Sequence, residues 1–330
     1  MTFKYNNVYI ADTSTVVGPY EKEGPLGNYF DKCYSDLYCG AKSVEQAEIK
    51  MQKDSIDILL RKTKCSKRDL DLLISSDLLN QNIASNYSAK CYNSPFLGIY
   101  SACAGSAEGM IIGSNFIDSK QIKKAIITVS SHNLASEKQF RNPIEYGAPK
   151  EETSTFTATG AATVLLQNKK TNIKIESATI GRVVDSRCKD PNNMGAVMAG
   201  AAIDTIRTHL KDTKRDASYY DLILTGDLGK YGKEIVKEYL WEKDRINVRN
   251  NLDDCGTILY DLDHQKEVHA GGSGPVCSAL VNYSYVLDKL RKKELKKVLL
   301  VPTGALFSPT SLFQKLNILS IAHAVSLEAL

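Results

Sequence analysis

Gly98-Ile-Tyr-Ser-Ala-Cys-Ala-Gly-Ser-Ala-Glu-Gly109 is the stretch that decides how this chain is read. An apolar run ends in small residues, presents one cysteine, Cys103, and opens into a segment of helical composition. This spells a strand-to-helix turn with a thiol at the helix N-terminus. Orphan backbone N–H groups and the helix dipole there favour a thiolate. The turn therefore suits nucleophilic cysteine chemistry, or the gripping of an anion.

Outward from this turn the chain alternates. Asn7–Ala11, Leu70–Ser75, Phe96–Tyr100 and Lys124–Ser130 are apolar runs that predict buried strands. Ser43–Lys62, with Ser43 as N-cap, Asn80–Tyr92 and Gly105–Asp118 predict helices. Thr155–Asn168 and Asn172–Ile180 follow as two strands, and the alternation restarts. Val197–Leu210, Lys230–Leu240 and Gly274–Lys292 read as helices. Asp221–Thr225, Gly256–Leu259, Lys297–Pro302 and Leu319–Leu327 read as strands. Two rounds of alternation predict a duplicated α/β unit, residues 1–170 and 171–330. The letters of the two halves do not visibly match, so this rests on element order. His132–Thr155 breaks the rhythm as a polar insertion after a strand, either a surface loop or a functional one.

Composition narrows the function classes. The 330 residues are 43% hydrophobic and carry 42 basic against 38 acidic groups, a net of +4. That charge is too mild and scattered for nucleic acid. No apolar run approaches the length that crosses a bilayer, and the first residues carry no signal-peptide pattern, so a soluble chain is expected. The eight cysteines read as reduced thiols. Cys33 and Cys39 are loosely spaced like a metal pair but lack supporting ligands, so no metal site is expected.

Three turns occur in a telling order: the Cys103 turn, Gly271-Gly-Ser-Gly-Pro-Val-Cys-Ser278, and Pro302-Thr-Gly-Ala-Leu-Phe307. Together they resemble the thiolase and ketoacyl-synthase III superfamily. That resemblance implies a thiolase-like five-layered α-β-α-β-α sandwich of two similar halves, and a homodimer formed through the N-terminal half. More specific strings are similar to the stage V sporulation protein AD family. They are Val8-Tyr-Ile-Ala-Asp-Thr-Ser14, Gly18-Pro-Tyr-Glu-Lys-Glu-Gly-Pro-Leu-Gly27, Ser130-Ser-His-Asn-Leu134, Gln139-Phe-Arg-Asn-Pro-Ile-Glu-Tyr-Gly147 and Ile321-Ala-His-Ala-Val325. This second resemblance implies a non-catalytic, cofactor-free binding protein for dipicolinic acid (pyridine-2,6-dicarboxylate), free or as its calcium chelate. It further implies work beside the membrane subunits of the stage V sporulation A transport complex, in the forespore or cytoplasm and peripheral to the spore inner membrane.

The superfamily's chemistry needs more than a thiol: a histidine base, and a second histidine or an asparagine as oxyanion donor. The turn after Asp221–Thr225 holds Gly226 and Asp227 instead of a histidine, and the Gly271–Gly274 turn holds glycine and Ser273. A binding cleft is the expectation. The alternative is an acyl-CoA-dependent acyltransferase or condensing enzyme of the ketoacyl-synthase III type using Cys103, with His269 as substitute base. A structural subunit with a vestigial cleft is a third reading.

A planar dicarboxylate needs a narrow apolar slot and hydrogen-bond donors. Candidates around Cys103 are Ser101 and Ser106 for hydroxyls, Arg141 for a bidentate clamp, and Tyr146 and Phe140 for stacking. His132, Asn133, Asp227, His269, Ser273, Thr303 and Gly304 sit on turns expected to face the cleft. Asp77 and Asn80 follow a strand C-terminus, where ligands of α/β sheets gather, and Asp77 is a candidate calcium contact. Asn192 and Asn193 are expected at the rim. Each has a bland counterpart: Arg141 paired with Glu145, Tyr146 packed under the loop, His269 bonded to backbone.

Overall fold

The computed structural model describes residues 1–140 and 150–330. Five strands lie side by side in the order Tyr9–Val17, Gly160–Gln167, Lys124–Ser131, Leu72–Ser76 and Phe96–Gly98. The first two contacts are antiparallel and the last two parallel. Ile173–Thr179, Ala324–Ala329, Lys297–Val301, Leu222–Thr225 and Leu252–Asp254 repeat the pattern, antiparallel twice and then parallel twice. The two sets meet where Tyr9 pairs with Lys174.

Helices form the other layers. Val44–Thr63, capped by Ser43 accepting from Gln46 N–H, covers one sheet, and Met194–Thr213 covers the other. Between the sheets lie Gly105–Asp118 and Pro275–Val281, the latter running on to Arg291 through one π-turn. The result is an α-β-α-β-α sandwich with its largest apolar cluster around the middle layer. That burial is the main source of stability: the strands carry near-continuous Val, Ile, Leu and Ala because both faces are covered.

The repeat extends to single hydrogen bonds. Asp71 accepts from the N–H groups of Lys123 and Lys124 at 2.8 and 2.9 Å; Asp221 accepts from Lys296 and Lys297 at 2.6 and 2.9 Å. Each carboxylate ties the start of one strand to the start of its parallel neighbour. Lys64 and Lys214 both end their helices in the left-handed region. Asp77 and Asp227 occupy matching places beyond the two strands.

Several predicted elements are corrected. Cys255–Leu259 is a helix, and the edge strand is Leu252–Asp254 just before it. Asp254 caps that helix at Gly256 N–H and also accepts from Leu228 and Gly229 N–H, so the chain turns where an apolar run suggested extension. Leu319–Leu327 divides into Leu319–Ala322 and Ala324–Ala329, which join different sheets. Thr303–Leu306, read only as a turn, is a strand in a small sheet with Leu319–Ala322 and Val184–Asp185. Within the expected irregular insertion, Asn133–Phe140 is a helix.

Candidate functional site

Cys103 sits in a short 3-10 turn, Ala102–Ala104, immediately ahead of the Gly105–Asp118 helix. Ala102 before it has φ +49°, a left-handed conformation unfavourable for a residue with a Cβ. The turn is locked from behind by Gly304, where a Cβ would meet the Ser101 carbonyl oxygen at 2.2 Å. Only glycine permits that approach.

The thiol opens onto a cavity of about 530 Å³, counting its mouth. Tyr100, Phe140, Met194, Met198 and Phe307 supply apolar walls, with the Phe140 and Phe307 ring centroids 5.5 Å apart. Ser136, Thr155, Thr157 and Ser273 bring hydroxyls, and Glu137 and Asp227 bring carboxyls. No histidine and no cation lines the cavity among the described residues. Lys150 lies close by, paired with Glu137 at 3.2 Å.

Asp227 occupies the place where the superfamily pattern calls for a histidine, and it faces the thiol. Burial pushes its carboxyl up to about 7, against the lowering effect of Cys103 and Thr303; the charge of Asp254 raises it further. Thr303 donates its hydroxyl to Asp227 Oδ1 at 2.5 Å, while Oδ2 is buried without a partner of ordinary hydrogen-bond geometry. The Cys103 thiol is itself held well above the usual thiol range, first by burial and then by Asp227, with only the Gly274 backbone working the other way. This direction is opposite to the thiolate expected from the helix N-terminus: desolvation and a facing carboxyl both favour the thiol.

Of the sequence candidates, Cys103, Phe140, Asp227 and Ser273 line the cavity. Thr303 and Gly304 act one step behind, holding Asp227 and the cysteine turn. Ser101 is buried behind the turn, and Ser106 faces Ser278, their hydroxyls 3.3 Å apart. The remaining described candidates are placed elsewhere. Asp77 is consumed by Leu79 N–H, Ser85 N–H and the Ser85 hydroxyl at 2.6–2.9 Å, which leaves it no role as a calcium contact. Asn80 is exposed and bonded through its N–H to Gln139. His132 is buried against the Leu37 carbonyl at 2.8 Å, and Asn133 donates to the Thr157 carbonyl. Asn193 caps the Met194–Thr213 helix at Ala196 N–H, and Asn192 closes a turn on Asp190. His269 adopts φ +56° and bonds through its N–H to Lys266, away from the thiol. Arg141 and Tyr146, with the Arg141–Glu145 pairing, lie outside the described residues. Sequence reasoning missed the two methionines, Tyr100, Glu137 and Phe307. Met194 and Met198 stand one helical turn apart, a spacing that core packing explains equally well.

A family model described as stage V sporulation protein AD matches residues 1–328. The chain belongs to that family. The Stage V sporulation protein AD of Bacillus subtilis (strain 168) is 46% identical over 321 residues, covering 97% of this chain and 94% of that protein. A sporulation role follows from this membership. Solved structures of condensing enzymes share the fold. A single-residue variant of Xanthomonas campestris OleA has a TM-score of 0.62 at 14% identity, covering 99% of this chain and 100% of that one. 3-Oxoacyl-[acyl-carrier-protein] synthase III from Aquifex aeolicus VF5 has a TM-score of 0.57 at 11% identity, covering 97% and 99%. These likenesses carry the thiolase-like fold and nothing of the chemistry. Among the described residues, this family member has no helix long and apolar enough to cross a membrane and no cluster of acids, cysteines and histidines that could hold a metal.

Proposed function

We propose that this sporulation protein is a non-catalytic receptor for dipicolinic acid, using the cavity at Cys103. The observation that carries the reading is Asp227 in place of a base: it disfavours the thiolate that acyl transfer requires. Losing an oxyanion donor alone costs condensing chemistry on the order of a hundred- to a thousandfold. The cavity's use is then set by its walls. Aromatic and methionine side chains form a slot for a flat ring, and hydroxyls on three segments can donate to carboxylates. Two carboxyls and no lining cation among the described residues favour the ligand as its calcium chelate over the bare dianion, since the chelate carries its own neutralising charge. The receptor acts in this reading as a homodimer beside membrane subunits of its transport system.

Calorimetric titration with pyridine-2,6-dicarboxylate, with and without calcium, tests the proposal against pyridine-3,4-dicarboxylate. Heat for the 2,6-isomer alone is expected. Equal heat for both isomers, or none, sinks the reading. Incubation with acetyl-CoA followed by intact-mass measurement addresses the acyltransferase alternative, and a Cys103 adduct would establish it instead.

A further inference from the structure

The small sheet beside the cavity has two unlike faces. Thr303, Ala305, Ser320 and Ala322 are buried, most of them against the Met194–Thr213 helix. On the alternate side Leu319 is exposed and Leu306 half-buried, Ile321 is half-buried beside Gly304 where the sheet meets the Cys103 turn, and Val183 is exposed at the sheet's edge. The chain then adds to this outer face. Ser308 and Ser311 cap one another's N–H groups and start the helix Pro309–Phe313. Phe313 is 87% exposed, and Leu316 in the following turn is exposed as well. Ile318 N–H bonds to the Cys188 carbonyl at 2.8 Å and Asn317 to Asp185 at 2.9 Å, so the 183–189 segment lies alongside.

A phenylalanine held on a capped helix and left in water is not filling a core. Contiguous exposed apolar side chains of this kind mark a contact surface. Its shape is a ridge with a projecting tip, which suits a deformable medium better than a preformed groove. Its charge selects among such media. Arg187, Lys189 and Lys315 are exposed around the ridge and outnumber the exposed acids of the same segments, Asp185 and Asp190; none of the three cations is in an ion pair among the described residues. Arg182 is neutralised by Asp204, and Asp185 already accepts from Arg187 N–H and Asn317.

We infer that this ridge, with Phe313 and Leu316 at its tip and Arg187, Lys189 and Lys315 at its flanks, docks on an anionic lipid bilayer. Aromatic and aliphatic tips enter the headgroup boundary while flanking cations meet lipid phosphates. The placement also has a consequence for the cavity. Phe307, in its wall, is on the short run joining the ridge to the sheet, and Gly304 touches the Cys103 turn. Docking therefore sets the cavity close to the membrane surface.

The test is flotation of the full chain with vesicles of equal parts phosphatidylglycerol and phosphatidylcholine, beside phosphatidylcholine alone. The protein floats with the anionic vesicles and loses that binding as salt is raised. The pair Phe313→Ser with Leu316→Ser, and separately Arg187→Glu with Lys315→Glu, each weakens flotation by about tenfold or more. Thermal unfolding of both variants stays at the parent temperature, because these side chains are exposed. Absence of anionic-vesicle binding, equal binding to neutral vesicles, or variants that float like the parent each overturn the assignment. Absence of vesicle binding would leave the ridge to a protein partner, and equal binding would remove the flanking cations from the account.

Discussion

Cys103 and Asp227 face one another at the cavity, and the proposed receptor role turns on them. A thiol at a helix N-terminus is ordinarily poised to ionise, yet this one is held protonated by burial and by the carboxyl facing it. Asp227→Asn keeps an acceptor for the Thr303 hydroxyl and removes the negative charge. Alkylation of Cys103 by iodoacetamide at pH 8 should then speed up by about tenfold or more, read by intact mass. An unchanged rate would mean that burial alone governs the thiol. In the receptor reading Asp227 also links the ligand to protons. Its carboxyl lies at about 7, and a neighbouring ligand carboxylate favours its neutral form further. Binding of the calcium-free dianion near pH 7 should take up a fraction of a proton, and its affinity should fall as pH rises above that value, whereas the chelate, carrying its own neutralising charge, should show less of either. Titrations in buffers of different ionisation enthalpy measure the uptake, and Asp227→Asn abolishes it.

At the scale of elements, the site is made by segments that meet back to back. The Thr303–Leu306 strand presses on the Ala102–Ala104 turn at Gly304, where no side chain fits. Gly304→Ala should cost at least about 2 kcal/mol in urea unfolding, because the atom it strikes is a backbone carbonyl that cannot swing aside. The same variant should lose dipicolinate heat. A stable variant with intact binding would show that the turn is not held this way. The elements that sequence periodicity placed well are the long ones. Gly105–Asp118 and Lys124–Ser131 match their predicted spans nearly residue for residue, since an amphipathic or fully apolar period persists over several turns. Short elements were lost where one capping side chain settles the backbone, as Asp254 does for Cys255–Leu259.

For the whole molecule, the salient feature is how many carboxyls are buried. Glu21, Glu48, Asp77, Asp227 and Asp254 all have raised values, each mainly through burial. Glu21 moves from 4.5 to about 7, with Tyr260 and Thr159 donating to Oε1 at 2.5 and 2.9 Å and Oε2 left buried. The native state therefore holds protons that the unfolded chain releases above its ordinary carboxyl range. Glu21 should contribute a loss of stability on the order of 3 kcal/mol as pH climbs from about 4.5 to about 7, against the opposite trend of buried His209 and His323, which are lowered to about 4 and take up protons on unfolding. Urea unfolding at pH 5 and pH 8 measures this. Glu21→Gln, which cannot ionise, should shift the stability difference between pH 8 and pH 5 in favour of pH 8 relative to the parent; an unchanged difference would remove Glu21 from the account.

The candidate site was legible in part. Cys103, Phe140, Asp227 and Ser273 stand on turns or helix ends that the strand order brings together. His132, Asp77 and Asn193 stand on equally suggestive turns, but backbone groups nearby claim their side chains. Met194 and Phe307 gave no signal, because an apolar cavity wall and an apolar core are written with the same letters.

What the sequence determined alone was the order of elements, the thiol on its turn, the missing histidine and the family strings. Each is carried by local spacing or residue identity. Tertiary structure decided which polar side chains remain available, that Asp227 faces the sulfur, and that burial favours the thiol over the thiolate. Those outcomes depend on desolvation and on partners far away in the chain, and no local pattern encodes them.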